Sequence, residues 1–234
     1  MKKRHCLGIV GGMGPLAGVR LQELLIEATP ATRDQDHLFM ICVTDPSIPD
    51  RTESLQRDQG TDFTRAIIRC AETLVRAGAT EIVMACHTAH SRYDEIQASV
   101  SVPVLNLIAI TTAHLSTLYP RGAKIGLLMT DGARADRLYQ VPLEAAGFIP
   151  LLPDSKNQRA LMKLIYAVKA RGSTRETNEK LRSIISHLHQ RGAQAIVLGC
   201  TELSVAWRDI GTDPSVEDPL RIFADQIVAR MKLS

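Results

Sequence analysis

The sequence predicts an α/β protein made of two similar domains with parallel sheets, related by a pseudo-two-fold axis, with the functional site in the cleft between them. Apolar, strand-like runs alternate with helix-like segments along all 234 residues. The pattern Gly-Ala-x-x-Ile-Val-x-x-Cys also occurs twice, ending at Cys86 and at Cys200, so each matched residue recurs after 114 positions (200 minus 86). We therefore expect two equivalent strands, each leading to a cysteine at the carboxyl edge of its sheet, where open α/β sheets hold their ligands.

The first half opens with a buried strand and a glycine turn, residues 7–15, in which Pro15 suits the first turn of the next helix. Apolar residues at helical spacing predict a helix over 61–77, and Gly78 suits its carboxyl-terminal cap. In chain order we predict a helix at 16–28, a strand at 37–44, a proline-rich loop at 45–52, the helix at 61–77, the strand ending at Cys86, a short helix, and a fourth strand at 102–107.

The second half begins near residue 110, where a crossover helix at 109–118 leads to a strand at 124–129. Gly126 and Gly132 repeat the spacing of Gly8 and Gly14. The further predicted elements are a strand at 148–152, helices at 157–170 and 174–191, the strand ending at Cys200, a loop at 214–219, and a last helix at 220–231. We assign that last helix to the first half, so the predicted domains are 1–109 with 210–234, and 110–209.

The composition excludes several classes of protein. A net charge of +3 and 4% aromatic residues argue against a nucleic-acid partner. No apolar run reaches membrane-spanning length, and the run after the basic N-terminus breaks at Gly11 and Gly12, too early for a signal peptide. The five cysteines include no CxxC pair, so neither a disulfide scaffold nor a thiolate zinc site is expected. We expect free thiols and a cytoplasmic location.

Cys86 and Cys200 are the candidate catalytic residues, whereas Cys6, Cys42 and Cys70 are interpreted as core residues. Two thiols that face one cleft suit the inversion of a stereocentre, because a thiolate can remove a proton from one face of a carbon while a thiol supplies one to the other face. The thiolate must be populated near neutral pH. Threonine hydroxyls, N–H groups at helix N-termini and a nearby histidine can lower the pKa of a thiol.

Four stretches resemble the aspartate/glutamate racemase family, and within it the aspartate racemase branch: Gly11–Pro15, Pro49–Thr52, Cys86–His90 and Gly199–Leu203. They stand in the order and spacing of the family over nearly the whole chain. The resemblance implies two Rossmann-like domains and an amino-acid racemase that needs neither pyridoxal phosphate nor a metal. It also implies Cys86 and Cys200 as the proton-transferring pair, aspartate or glutamate as substrate, and a homodimer.

The resemblance further implies a set of substrate-binding residues, namely Met13, Arg51, His87, Thr88, Thr130, Lys169, Thr201 and Glu202. Arg51 and Lys169 would each bind one carboxylate of a dicarboxylic amino acid. Thr88 and Thr201 would donate hydrogen bonds near the thiolates.

Five of these positions keep alternatives open. Arg51 is alternatively a solvent-exposed loop residue, and Lys169 a solvated residue at a helix end. Thr130 lines the cleft or caps a helix, and Glu202 orients a thiol or the substrate ammonium group, or begins a helix. His87 stands where the family usually has Asn, and a histidine is larger and can be charged. His90 is expected to support the site from behind or to lie in the core. Because of His87, a neutral amino acid, a hydantoin or maleate remains an alternative substrate, and a non-catalytic amino-acid-binding protein remains an alternative function.

A nucleotide-dependent dehydrogenase is a further alternative. Residues 12–17 fit the pattern G-x-G-x-x-A between a strand and a helix, which is typical of dinucleotide-binding turns. Asp45 ends the next strand, where an acidic residue holds a ribose in such proteins. This alternative ranks below the racemase, because it leaves the two matched cysteines unexplained.

Overall fold

A computed structural model describes residues 5–232, without the side chain of Lys232, so the basic N-terminal residues 1–4 lie outside the described range. The first sheet consists of β1 (Leu7–Gly11), β2 (Met40–Thr44) and β3 (Glu81–Met84) in the order β2-β1-β3. All of its pairings are parallel. A single parallel bridge between Ile82 and Val104 extends the sheet beyond β3.

The second sheet repeats this arrangement. It consists of β4 (Lys124–Met129), β5 (Ile149–Leu151), β6 (Ala195–Gly199) and β7 (Val216–Glu217) in the order β5-β4-β6-β7, again with parallel pairings. The strands that lead to Cys86 and Cys200 are therefore equivalent, because β3 pairs with β1 as β6 pairs with β4. The predicted fold class, an α/β protein with two parallel sheets, is confirmed.

Helices connect the strands and cover both faces of the sheets. They are α1 (Pro15–Ala28), α2 (Arg51–Asp58), α3 (Thr61–Arg76), α4 (Tyr93–Ala98), α5 (Leu107–Leu118), α6 (Asp131–Ala135), α7 (Gln140–Ala145), α8 (Ser155–Arg171), α9 (Arg175–Gln190), α10 (Thr201–Trp207) and α11 (Pro219–Lys232). None of the helices within residues 5–232 combines the length and the apolar character needed to cross a membrane.

Three predicted elements of the first half differ from the structure. The predicted strand at 102–107 is limited to the bridge at Val104, because the Asn106 side chain accepts hydrogen bonds from the N–H groups of Ile108 and Ala109 and starts α5. The predicted strand at 37–44 begins only at Met40. The loop predicted at 45–52 ends early, because the Asp50 side chain accepts hydrogen bonds from two backbone N–H groups and caps α2.

The carboxyl-terminal segment joins both halves. The predicted loop at 214–219 contains β7, which pairs with β6 in the second sheet. Helix α11 instead packs in the core of the first half, where Leu220, Phe223 and Ile227 lie among residues of β1 and α1. The domain division at residue 210 therefore stays a prediction. The pairing of β7 with β6 favours a boundary after β7, where the chain returns to the first half.

The alternating side chains of β6 show how each sheet is covered. Ile196 and Leu198 lie in a core cluster with α8 and α9, whereas Ala195 and Val197 lie in a cluster with α7 on the opposite face. Such a strand, buried on both faces, is typical of parallel sheets between helices. Both sheets are thus fixed from both sides, and their carboxyl edges are free to form the site.

Candidate active site

Equivalent turns at the carboxyl ends of β3 and β6 carry the two cysteines. Cys86 lies two residues beyond the end of β3, before a short 3₁₀ turn at Thr88–Arg92. Cys200 directly follows β6 and is the N-cap residue of α10. Both cysteines are buried, with 5% and 4% of their surface exposed.

One small cavity brings together every residue that the sequence assigned to the site. Its walls consist of Met13, Asp50, Arg51, Thr52, Cys86, His87, Thr88, Thr130, Lys169, Cys200, Thr201 and Glu202. The cavity measures ≈ 10 Å³, which is room for about one water molecule. A wider, open groove of ≈ 1010 Å³ between α8 and α9 is lined by none of these residues. The roles assigned to the cavity residues remain predictions, but their common location is observed.

Glu202 links Cys200 to the opposite half of the molecule. The Cys200 thiol donates a hydrogen bond to Oε2 of Glu202 at 2.9 Å, and the Thr201 hydroxyl donates to the same oxygen at 3.3 Å. The N–H group of Gly14, at the start of α1, donates to Oε1 at 3.1 Å. Glu202 therefore orients a thiol and also lies in the first turn of α10, so two of the roles considered for it apply together.

Cys200 is held in its protonated form. Burial raises the pKa of the Cys200 thiol well above its ordinary value, and the negative charge of Glu202 raises it further, against the opposing effect of Lys169. The sequence indicates groups near the cysteines that can lower a thiol pKa. At Cys200 the net effect is the reverse, because the thiol is buried and donates a hydrogen bond to a carboxylate two residues along the chain.

Arg51 lies beside Cys86 and is itself buried, with 6% of its surface exposed. Its Nη1 donates to the carbonyls of Ile48 and Pro49 at 3.3 and 2.9 Å, and its Nη2 donates to the carbonyl of Met13 at 2.9 Å. Burial works to lower the pKa of Arg51, but the nearby Cys86, Asp50 and Glu202 outweigh burial and raise it. Arg51 is therefore a fixed positive charge that joins the loop before α2 to the glycine turn after β1.

That glycine turn approaches the loop after β2 very closely. Gly12 has a φ of 96°, and a side chain there would collide with the backbone of Asp45. The Met13 carbonyl and the Gly14 N–H group of this turn are both used by cavity residues. The Gly14 N–H group is therefore not free to bind a pyrophosphate, and the dinucleotide interpretation of residues 12–17 gains no support.

Lys169 and Asp50 form an ion pair across the cleft. Nζ of Lys169, near the end of α8, lies 3.2 Å from Oδ2 of Asp50, the N-cap residue of α2. Burial works to raise the pKa of Asp50, but Lys169 and backbone N–H groups lower it overall. Burial works to lower the pKa of Lys169, but Glu202, Cys200 and Asp50 raise it overall. Asp50 was missed in the sequence, although a helix-capping position directly before Arg51 was the available signal.

Thr88 and Thr130 form a third contact between the halves. Their Oγ1 atoms lie 2.9 Å apart, and Thr130 Oγ1 also accepts a hydrogen bond from the N–H group of Ala133 at 3.1 Å. Thr130 therefore both lines the cavity and caps α6, the two roles that the sequence left open.

His87 is a neutral part of the cavity wall. Its Nδ1 lies 2.8 Å from the hydroxyl of Tyr139, and its buried Nε2 has no hydrogen-bond partner in the described structure. Burial, with a smaller contribution from His90, lowers the pKa of His87 to about 3. A charged His87 that binds a carboxylate, which we had considered, is therefore not supported at neutral pH. Tyr139 was missed because no motif connects it with a residue 52 positions away.

His90 supports the first cysteine from behind. Its Nδ1 bonds to the carbonyl of Cys86 at 2.9 Å, and its Nε2 accepts the N–H group of Leu107 at 3.2 Å. Burial lowers the pKa of His90 to about 4. The neutral ring thus ties the Cys86 turn to the start of α5.

Within residues 5–232, no group of three or more His, Cys, Asp or Glu side chains is arranged to hold a metal ion. The five cysteines are all free thiols.

Comparison with known proteins gives consistent results. The profile of the Asp/Glu/Hydantoin racemase family matches residues 10–227. A broad-specificity amino-acid racemase of Bacillus subtilis is 26% identical over 228 residues, which are 95% of this chain and 96% of that protein. The structure of an aspartate racemase from Picrophilus torridus matches with a TM-score of 0.84 and 29% identity, over 97% of this chain and 94% of that one. A glutamate racemase from Francisella tularensis in complex with D-glutamate shares the fold, with a TM-score of 0.71 at 17% identity, over 100% of this chain and 82% of that one.

Proposed function

Because this chain belongs to the Asp/Glu/Hydantoin racemase family, we propose that it inverts the α-carbon of an amino acid, with Cys86 and Cys200 as the proton-transferring pair. The family match confirms the predicted enzyme class, an isomerase of the racemase type. The observation that carries the mechanism is one cavity with a cysteine from each of two equivalent strand ends.

The proposed starting state has a thiolate at Cys86, beside the Arg51 cation, and a thiol at Cys200, which donates a hydrogen bond to Glu202. The Cys86 thiolate removes the proton from Cα of the substrate and becomes a thiol, and the electron pair left on Cα is delocalised into the substrate carboxylate. The Cys200 thiol then donates its proton to the opposite face of Cα and becomes a thiolate. Hydrogen-bond donors in the cavity stabilise the developing charge, and in the reverse direction the two cysteines exchange roles. The mechanism uses no cofactor.

Aspartate, with glutamate next, is the first proposed substrate class. Two cations in one small cavity, Arg51 and Lys169, suit a substrate with two carboxylates. A neutral amino acid is the second candidate, because Arg51 already donates to three backbone carbonyls and Lys169 is already paired with Asp50.

We also propose a homodimer and a cytoplasmic location. Leu16, Val19 and Ile26 are exposed at 46%, 58% and 50% and follow helical spacing along α1, which gives the protein an apolar face on which a second copy can pack. A reducing compartment keeps a cysteine pair in the thiol form that the mechanism needs. Light scattering of the purified protein measures the oligomeric state, and a monomer at micromolar concentration would contradict the homodimer.

The decisive experiment is proton exchange at Cα in D₂O, followed by NMR, with both enantiomers of aspartate, of glutamate and of several neutral amino acids. Exchange with inversion for any of them supports the racemase, and the substrate that exchanges fastest identifies the class. A hydantoin and maleate in the same series test the other reactions of this fold. Binding of an amino acid without exchange would identify a binding protein instead.

A further inference from the structure

The ring of His87 has one polar atom that the protein itself leaves without a partner. The side chain is 1% exposed and lines the cavity, and its Nε2 is buried without a hydrogen-bond partner in the described structure. A buried nitrogen without a partner costs free energy, so such atoms in native proteins usually await a ligand or water. Because His87 lines the cavity, a group of a bound ligand is the natural partner for this nitrogen.

The other ring nitrogen is bonded to a fully buried tyrosine. Tyr139 is 0% exposed, and its hydroxyl lies 2.8 Å from Nδ1 of His87. A phenol has one hydrogen to donate, and a neutral imidazole has one nitrogen that accepts and one that donates. The direction of this one hydrogen bond therefore decides whether Nε2 offers the cavity a hydrogen or a lone pair.

The neighbours of Tyr139 favour donation to His87. The second hydroxyl close to Tyr139 is that of Thr111, and the Thr111 hydrogen is directed to the carbonyl of Leu107 at 2.8 Å. An imidazole nitrogen is a stronger hydrogen-bond acceptor than an alcohol oxygen. The Tyr139 hydroxyl therefore donates its hydrogen bond to Nδ1 of His87 rather than to Thr111. Nε2 then carries the ring hydrogen.

We propose that Tyr139 is a positioning residue that donates to Nδ1 of His87 and thereby fixes the Nε2–H tautomer, which presents a neutral N–H donor to a carboxylate of the substrate. The identity of the ligand group rests on the proposed function, whereas the tautomer does not. An asparagine at this position, as the family usually has, would also offer an N–H donor. The His87–Tyr139 pair therefore supplies a neutral N–H donor in place of the asparagine N–H donor, and it adds no charge to the cavity.

The tautomer is measured directly by NMR of protein labelled with ¹⁵N in its seven histidines, at pH 7.5. The signals of His87 are those lost in His87→Asn. We expect a neutral ring protonated at Nε2 in the wild type, and a mixture of both tautomers in Tyr139→Phe, in which the phenyl ring still fills the space. A wild-type ring protonated at Nδ1, or an unchanged tautomer in Tyr139→Phe, would overturn the proposal.

The kinetic test is a double-mutant cycle on Cα exchange. Tyr139→Phe should lower kcat/KM by roughly tenfold in the wild type, the cost of a misplaced neutral hydrogen bond, and should have no further effect in a His87→Asn background. The matched control is Tyr119→Phe, which removes a hydroxyl bonded to Glu217 outside the cavity and should leave the rate unchanged. Equal losses from Tyr139→Phe in both backgrounds would show a merely structural role. Absence of exchange in the wild-type protein would refute the proposed function and leave the tautomer result standing.

Discussion

The two cysteine turns follow equivalent strands but differ in their electrostatic surroundings. Each follows a strand that pairs in the same way with the central strand of its sheet. Beside Cys86 lies the cation of Arg51, whereas the thiol of Cys200 is bonded to the carboxylate of Glu202. In the proposed mechanism, this difference makes Cys86 the first proton acceptor and Cys200 the first proton donor.

Part of the difference arises in the two residues after each cysteine. By the repeat of 114 positions, His87 corresponds to Thr201, and Thr88 corresponds to Glu202 (202 minus 88). The second residue contacts the opposite half in both turns, Thr88 through Thr130 and Glu202 through Gly14. The second residue after each cysteine therefore joins the two halves, but only Glu202 also accepts a hydrogen bond from the cysteine thiol.

The largest expected effect comes from removing either thiol. Cys86→Ser and Cys200→Ser should each lower the rate of racemisation by about a thousandfold or more, because a serine hydroxyl is a far weaker acid and base than a thiol at neutral pH. Cα exchange from each enantiomer measures the loss. Cys42→Ser, in β2 and outside the cavity, is the control that should keep activity. Full activity in either cavity variant would refute the two-cysteine mechanism.

The cation beside Cys86 should have the next largest effect. Arg51→Met removes the charge and leaves three backbone carbonyls without their donor. We expect kcat to fall by about a hundredfold, with a loss of about 3 kcal/mol in the free energy of unfolding. Arg51→Lys keeps the positive charge but cannot donate to all three carbonyls in the same geometry. Relative to Arg51→Met, it should therefore recover part of the rate and little of the stability. If both variants lose only stability, Arg51 acts on the fold and not on Cys86.

The histidines of the first half should make stability depend on pH. The pKa of His87 is about 3 in the folded protein, against an ordinary value of 6.5, so below pH 6.5 the unfolded chain binds a proton that the folded protein does not. The free energy of unfolding should therefore fall by about 1.4 kcal/mol for each pH unit below 6.5, and more where His90 adds to it. Urea titrations between pH 5 and 7 measure the slope, and His87→Asn should reduce it. An unchanged slope would contradict the burial of a neutral His87.

The smallest effect is expected for the carboxylate beside Cys200. Glu202→Gln keeps the size of the side chain but removes its charge, so the pKa of Cys200 should fall and racemisation should slow by about tenfold. The pH at which iodoacetamide labels Cys200, followed by mass spectrometry, should move down, whereas labelling of Cys86 should keep its pH dependence. Labelling of Cys200 at an unchanged pH would show that burial alone, and not Glu202, holds its proton.

The sequence predicted what depends on local pattern and repeated spacing. The Gly-Ala-x-x-Ile-Val-x-x-Cys repeat located both strands, and the four resembling stretches contain all the cavity residues except Thr130 and Lys169. Such patterns could not predict the role of Tyr139 or the protonated state of Cys200, because each depends on a contact that only the folded chain makes. Strand β7 was missed because two residues are too few for a periodic signal.

The closeness of the cavity walls bears on the timing of turnover. A space of ≈ 10 Å³ holds about one water molecule, and even the smallest amino acid is several times larger. The contacts of Glu202 with Gly14, of Lys169 with Asp50 and of Thr88 with Thr130 all join the two halves across this space. Every substrate must part these contacts to enter, and every product must part them to leave. We therefore expect the rate of turnover to depend on solvent viscosity as well as on proton transfer.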